Sequence, residues 1–137
     1  MATARQQDTF FLNIDLELRS ARSLRVMIDA FGDQVLVHRN DRDGELFVVW
    51  MQLSSGPDPS DIDGVVENFR ILVERLPRAI RTLWDSCADR RFNMGIQSGR
   101  SPHSTEFRMS ARAINTMANL RIGLTTTVYA LGTLASR

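Results

Sequence analysis

Hydrophobic residues recur along this chain with two different periods, and the switches between them outline the elements. From Phe10 the pattern has a period of two. Phe10, Leu12, Ile14, Leu16 and Leu18 fall on one side, and Phe11, Asn13, Asp15 and Glu17 on the other, as in a half-buried strand. Between Ser60 and Ala88 the period lengthens. Ile62, Val65, Val66, Phe69, Leu72, Val73 and Leu76 recur three and four apart, within one arc of a helix. Ser60 is the expected N-terminal cap, and Asp61 and Asp63 suit the positive end of the helix dipole. Pro77 cannot donate to a helical ladder, and Ile80, Leu83, Trp84 and Cys87 resume the pattern. Two helical pieces meeting at Pro77 are therefore expected, as the layer that covers a sheet.

The rest of the chain reads by the same rules. Ser20 or Arg19 opens a helix carrying Leu24, Met27, Ile28 and Phe31, stopped at Gly32. Gln34 to Arg39 is a short strand, and Asp41-Arg42-Asp43-Gly44 is a turn into a second strand, Glu45 to Leu53. That second strand is apolar without alternation (Leu46, Phe47, Val48, Val49, Trp50, Met51), which places it centrally but leaves its phase open. Arg91 to Ser98 alternates again, with Phe92, Met94 and Ile96 inward. Met109 or Ser110 starts a last helix, and Arg121 to Ala130 is the last strand. The order β-α-β-β-α-β-α-β predicts an α+β domain spanning residues 1–137, a single sheet of about five strands covered on one face by helices. Its first six elements follow a ferredoxin-like order. Residues 1–8 and 131–137 are expected to be flexible.

Composition narrows the function classes. The net charge is +1 and the 17 basic residues, all Arg, are spread along the chain. Neither a nucleic-acid patch nor attraction to an anionic membrane follows from that distribution. No run reaches the ~18 apolar residues of a membrane-spanning helix, and Met1 to Asp8 lacks the apolar core of a signal peptide. A cytoplasmic protein is expected. The lone Cys87 cannot form an intrachain disulfide, and on an apolar helix side it reads as a small hydrophobe. His38 and His103 are not spaced as metal ligands. There is no nucleophile elbow, no Walker A sequence and no dinucleotide fingerprint; Gly95-Ile96-Gln97-Ser98-Gly99 is too sparse for a phosphate loop. No catalytic residue, metal or cofactor is therefore assigned. Asp15 and Glu17 share a strand face and could do acid–base work, but a solvated edge is the expected reading. Arg70, Glu74, Arg78, Arg81 and Asp85 read as weak pairs on an exposed helix face. An Arg patch with Arg90 and Arg91 is the lesser alternative.

The second face of the sheet carries the functional expectation. If the inward residues face the helices, then Phe11, Asn13, Asn93, Gln97, Thr125, Thr127 and Tyr129 face outward, with Trp50 if the Leu46-Val48-Trp50 half of the central strand points that way. A mixed aromatic and polar surface is what interfaces present. These eight residues are the candidate binding residues. Phe11-Leu12-Asn13-Ile14-Asp15-Leu16, Trp50 before a polar loop, Phe92-Asn93-Met94-Gly95-Ile96 and the closing Leu120-Arg121-Ile122 to Val128-Tyr129 together resemble small bacterial α+β domains of unknown function, some of which act as toxin-immunity proteins. The resemblance implies an immunity-type role and carries over no catalytic residue. The expected function is a non-catalytic cytoplasmic protein-binding domain that works through an exposed sheet face or edge. Its partner would be another protein or a second copy in a homodimer, with no nucleic acid and no membrane. The alternative is a small-molecule site or enzyme near Trp50, Tyr129 and His103.

Overall fold

The computed structural model describes residues 8–131. It is an α+β fold of five strands and four helices: β1 (Phe10–Ser20), α1 (Arg25–Phe31), β2 (Val35–Asp43), β3 (Leu46–Leu53), α2 (Ile62–Glu74), α3 (Arg78–Asp85), β4 (Asp89–Gln97), α4 (Ala111–Leu120) and β5 (Gly123–Tyr129). A short 3₁₀ turn, Gly32–Gln34, joins α1 to β2. The strands form one mixed sheet in the order β2-β3-β1-β4-β5. All neighbours are antiparallel except β4 and β5, which are parallel. Parallel neighbours need a crossover, and α4 supplies it.

All four helices contribute to a single core on one face of this sheet. Leu16, Leu18, Val49, Met51 and Phe92 project from the strands into a layer formed by Met27, Phe31, Phe69, Val73, Trp84, Met117 and others. Helix α2 lies where its period places it, with Ile62, Val65, Val66, Phe69, Leu72 and Val73 buried. Its cap is Asp61 rather than Ser60: Asp61 Oδ1 accepts from the Gly64 amide at 3.0 Å. Ser60 is instead held in a local turn by Asp58. The break at Pro77 separates α2 from α3, as the sequence indicates. Ser110 caps α4, accepting from the Ala113 amide at 3.1 Å.

The main departures from the sequence reading are two boundaries and the surroundings of Arg90. Helix α1 does not begin at Ser20: β1 runs through Ser20, which is buried, and the helix starts at Arg25. Strand β2 does not end at Arg39 but continues through the Asp41-Arg42-Asp43 stretch, where Asp43 pairs with Leu46. The reversal is a two-residue turn, Gly44-Glu45, and Gly44 sits at φ +63. A positive φ at the first turn residue matches the twist of a tight hairpin. Arg90 is not part of a free basic patch. Its guanidinium donates to the carbonyls of Trp84 at 2.9 Å, Cys87 at 3.0 Å and Arg121 at 3.1 Å, neutralising the C-terminal ends of α3 and α4 together.

The ends expected to be flexible lie outside the described residues except for Asp8 and Leu131. Asp8 forms an isolated parallel bridge with Ser101, and the Thr9 amide donates to the Ser101 carbonyl at 2.8 Å.

Candidate functional site: the uncovered face of the sheet

The pleat of β1 sets the composition of the uncovered face, and a bulge resets that pleat. Ile14, Leu16 and Leu18 face the helices, so Asn13, Asp15, Glu17 and Arg19 face away. The pairing with β4 shifts by one residue between Phe11 and Asn13, so Leu12 is extra. One inserted residue inverts the alternation before it. Phe11 therefore pairs with Ile96 on the helix side and packs against Phe107 with ring centroids 5.3 Å apart. The expectation that Phe11 faces outward is thus corrected, and so is the inward placement of Phe10 and Leu12.

The phase of β3 is also fixed by register. Met51 opposes Leu16, Val49 opposes Leu18, and Trp50 opposes Glu17. Hence Leu46, Val48 and Trp50 are on the uncovered face. Val48 is fully buried there without belonging to the core. Its register neighbours are Arg19 and Asp41, which form ion pairs with Asp43 at 2.9 Å and with Arg39 at 2.8 Å. Long charged side chains lay their apolar stems over such a residue and keep their heads in water. The Arg39 guanidinium also lies 5.0 Å from the Trp50 ring centroid, at a cation–π distance.

Toward β5 this face sinks into a depression of about 200 Å³ lined by Asn13, Asp15, Glu17, Trp50, Asn93, Gly95, Thr127 and Tyr129. Gly95 is its floor. A Cβ there would lie 3.0 Å from Asn13 Oδ1 and 3.7 Å from Tyr129 Cε2, so the missing side chain is what keeps the space open. Three neighbouring strands contribute one hydrogen-bonded line: Thr127 Oγ1 donates to Asn93 Oδ1 at 2.8 Å, and Asn93 Nδ2 donates to Glu17 Oε2 at 3.0 Å. That chain fixes the Asn93 amide and presents Glu17 as an acceptor. Asp15 is held differently. Its Oδ1 is buried and has no hydrogen-bond partner among the described residues. Burial pushes the Asp15 carboxyl above the ordinary carboxylate range; His38 acts against this, and Glu17 adds to it. The pair is therefore not the solvated edge expected from sequence.

Of the eight candidate residues, Asn13, Trp50, Asn93, Thr127 and Tyr129 meet around this depression. Thr125 is on the same face, paired with Asn93, but does not line it. Gln97 is on this face too and is buried. Its Nε2 donates to the Ser98 and Ala130 carbonyls, so it secures the ends of β4 and β5. His103 is exposed and is not among the residues that line this depression. Asp15, Glu17 and Gly95 are the lining residues that the candidate set omitted. Register brings them in: Asp15 pairs with Asn93 and Gly95 with Asn13, while Glu17 pairs with Trp50 on its other side.

Among the described residues no three His, Cys, Asp or Glu side chains are arranged to hold a metal, and no helix is long and apolar enough to cross a membrane. Comparison of the chain with protein-family models, curated proteins and solved structures finds no match.

The desolvated carboxyl gives a first prediction. A carboxyl whose pKa is raised by folding favours the folded state when protonated. That contribution is complete below the unfolded pKa and is lost as pH rises through the folded one. Asp15→Asn should therefore raise the melting temperature at neutral pH, and the gain should shrink as pH falls through the carboxylate range. Melts of both proteins across that range check this; a gain independent of pH would show that burial of the charge is not its source.

Proposed function

We propose that this is a non-catalytic binding domain that seats a basic side chain of a protein partner in the depression on its uncovered sheet face. One observation carries the reading: a buried, unpartnered Asp15 oxygen stands beside an oriented Glu17, in a hollow that includes the aromatic rings of Trp50 and Tyr129. Two carboxylates accept from a guanidinium or ammonium group, and aromatic faces attract the same cation. A volume of about 200 Å³ is below the ~300–1,000 Å³ of pockets that hold drug-sized ligands. It fits the end of an Arg or Lys side chain better than a free metabolite, which favours a protein partner over the small-molecule alternative.

The sheet supports the finer architecture as well. The order β2-β3-β1-β4, antiparallel throughout, with β5 added beside β4, supports reading the fold as a variant of a ferredoxin-like sandwich. A cytoplasmic location is supported by the buried free thiol of Cys87. An immunity-type role, in which the depression engages a basic residue of a toxin, is the specific form implied by the resemblance.

The test uses N-acetyl-arginine amide as the probe and amide and indole NMR signals as the readout. Saturable shifts at the Trp50 indole and at Gly95 and Asn93 are expected, with a dissociation constant in the millimolar range suited to one side chain. Asp15→Asn and Glu17→Gln should each abolish them, and N-acetyl-glutamate amide should produce none. Binding should weaken as pH falls through the Asp15 titration, because the cation selects the ionised carboxyl. Shifts confined to other surfaces, or none, would overturn the reading.

A further inference from the structure

The two edges of the sheet are built differently. Strand β2 carries His38, Arg39, Asp41, Arg42 and Asp43, and a register shift between Val37 and Arg39 bends it. Charges and bulges are the usual devices that stop an edge from pairing with another chain. Strand β5, Gly-Leu-Thr-Thr-Thr-Val-Tyr, has no charge, no proline and no register shift against β4. Its Leu124 and Val128 are 50% and 59% exposed.

We infer that β5 is the surface through which two copies of this chain pair, antiparallel, about a twofold axis at Thr126. The Tyr129 carbonyl accepts from the Ser98 amide, so Tyr129 turns its main-chain groups toward β4. Alternation along the strand then aims the amides and carbonyls of Leu124, Thr126 and Val128 outward. Centring the axis on Thr126 uses all three outward sets in hydrogen-bonded pairs. The same register places Leu124 opposite Val128 of the second copy on the helix side, and Thr125 opposite Thr127 on the uncovered side. It also sets each Tyr129 against Gly123, which leaves room for the ring.

The second layer adds to this contact. On α4, Arg112 and Thr116 face α2 across a shared groove, and Ala113 and Met117 face the core. Ile114 therefore lies on the opposite flank, toward the β5 edge, and it is 56% exposed. A seven-residue strand runs ~24 Å, and strand plus helix layer is ~20 Å deep. That section, ~480 Å² before side-chain relief is counted, is within a factor of two of the ~800 Å² per partner of a standard interface. With no charge on the strand, a copy meets no like charge in its mate. The pairing is independent of the cation-binding reading of the depression.

Sedimentation of the full chain tests this. A dimer at micromolar concentration is expected. Thr126→Pro should convert it to a monomer while leaving the fold intact, because the amide it removes points away from β4. Leu124→Glu and Val128→Arg should each raise the dimer dissociation constant at least tenfold. The double variant Leu124→Glu/Val128→Arg should regain much of the affinity in low salt, because in this register each Glu meets an Arg of the other copy. A wild-type chain that stays monomeric to ~100 μM, a dimer indifferent to the single charges, or a double variant no better than either single one would overturn the inference.

Discussion

Phe69→Ala should lower the unfolding free energy by about 3–5 kcal/mol, the range for truncating a buried aromatic to alanine. Phe69 is fully buried on α2, and its ring centroid is 5.4 Å from that of Phe92 on β4. It is the point where the central helix meets the sheet, so neighbouring strands cannot collapse into the space it leaves. A domain of ordinary stability has only ~5–15 kcal/mol in all, so the loss is a large share of the total. The thermal midpoint should fall by roughly 10–20 °C. A melt that superimposes on that of the parent would mean that α2 presents a different face to the sheet.

Trp84→Ala should cost about as much, ~3–5 kcal/mol, for a different combination of reasons. Trp84 is a fully buried residue on α3, and its Nε1 donates to the Leu120 carbonyl at 3.3 Å. That carbonyl belongs to the last turn of α4, where no intrahelical donor follows. Trp84 thus fills volume between α3 and α4 and also closes the end of α4. Trp84→Phe separates the two contributions. It keeps most of the apolar volume and should cost ~1–3 kcal/mol, the penalty for leaving a buried acceptor unpaired. Chemical denaturation of both variants measures the difference. Equal losses would show that the indole donor carries the whole effect.

The sequence was most legible where one face of an element is dry and the other wet. Helix α2 declares its buried stripe because Glu67, Arg70 and Glu74 form an ion-paired ridge on the other side. Strand β3 declares nothing, because Val48 is as buried as Val49 although they point to opposite faces. Val48 stands between Arg19 of β1 and Asp41 of β2 in the register, and no local pattern records neighbours supplied from a distance. Leu12 misleads for the opposite reason. The alternation from Phe10 to Leu18 is unbroken as text, and only the pairing with β4 shows that one residue is surplus. Asn13, Asn93, Thr127 and Tyr129 could be placed on one face from sequence, and Trp50 joins them only once the register of β3 is known. That Asp15, Glu17 and Gly95 complete a hollow among them depends on strand order, which the chain does not spell out.

The bulge at His38 and the charges along β2 carry one more consequence. A sheet with two receptive edges would keep adding copies, end to end, and grow into a fibre. Here one end is blunt, so the inferred pairing at the other would exhaust the molecule's capacity: such an assembly would have a valence of one and close at two chains. Replacing Arg39 and Asp41 with threonine would remove part of that protection and move the same fold toward open-ended assembly.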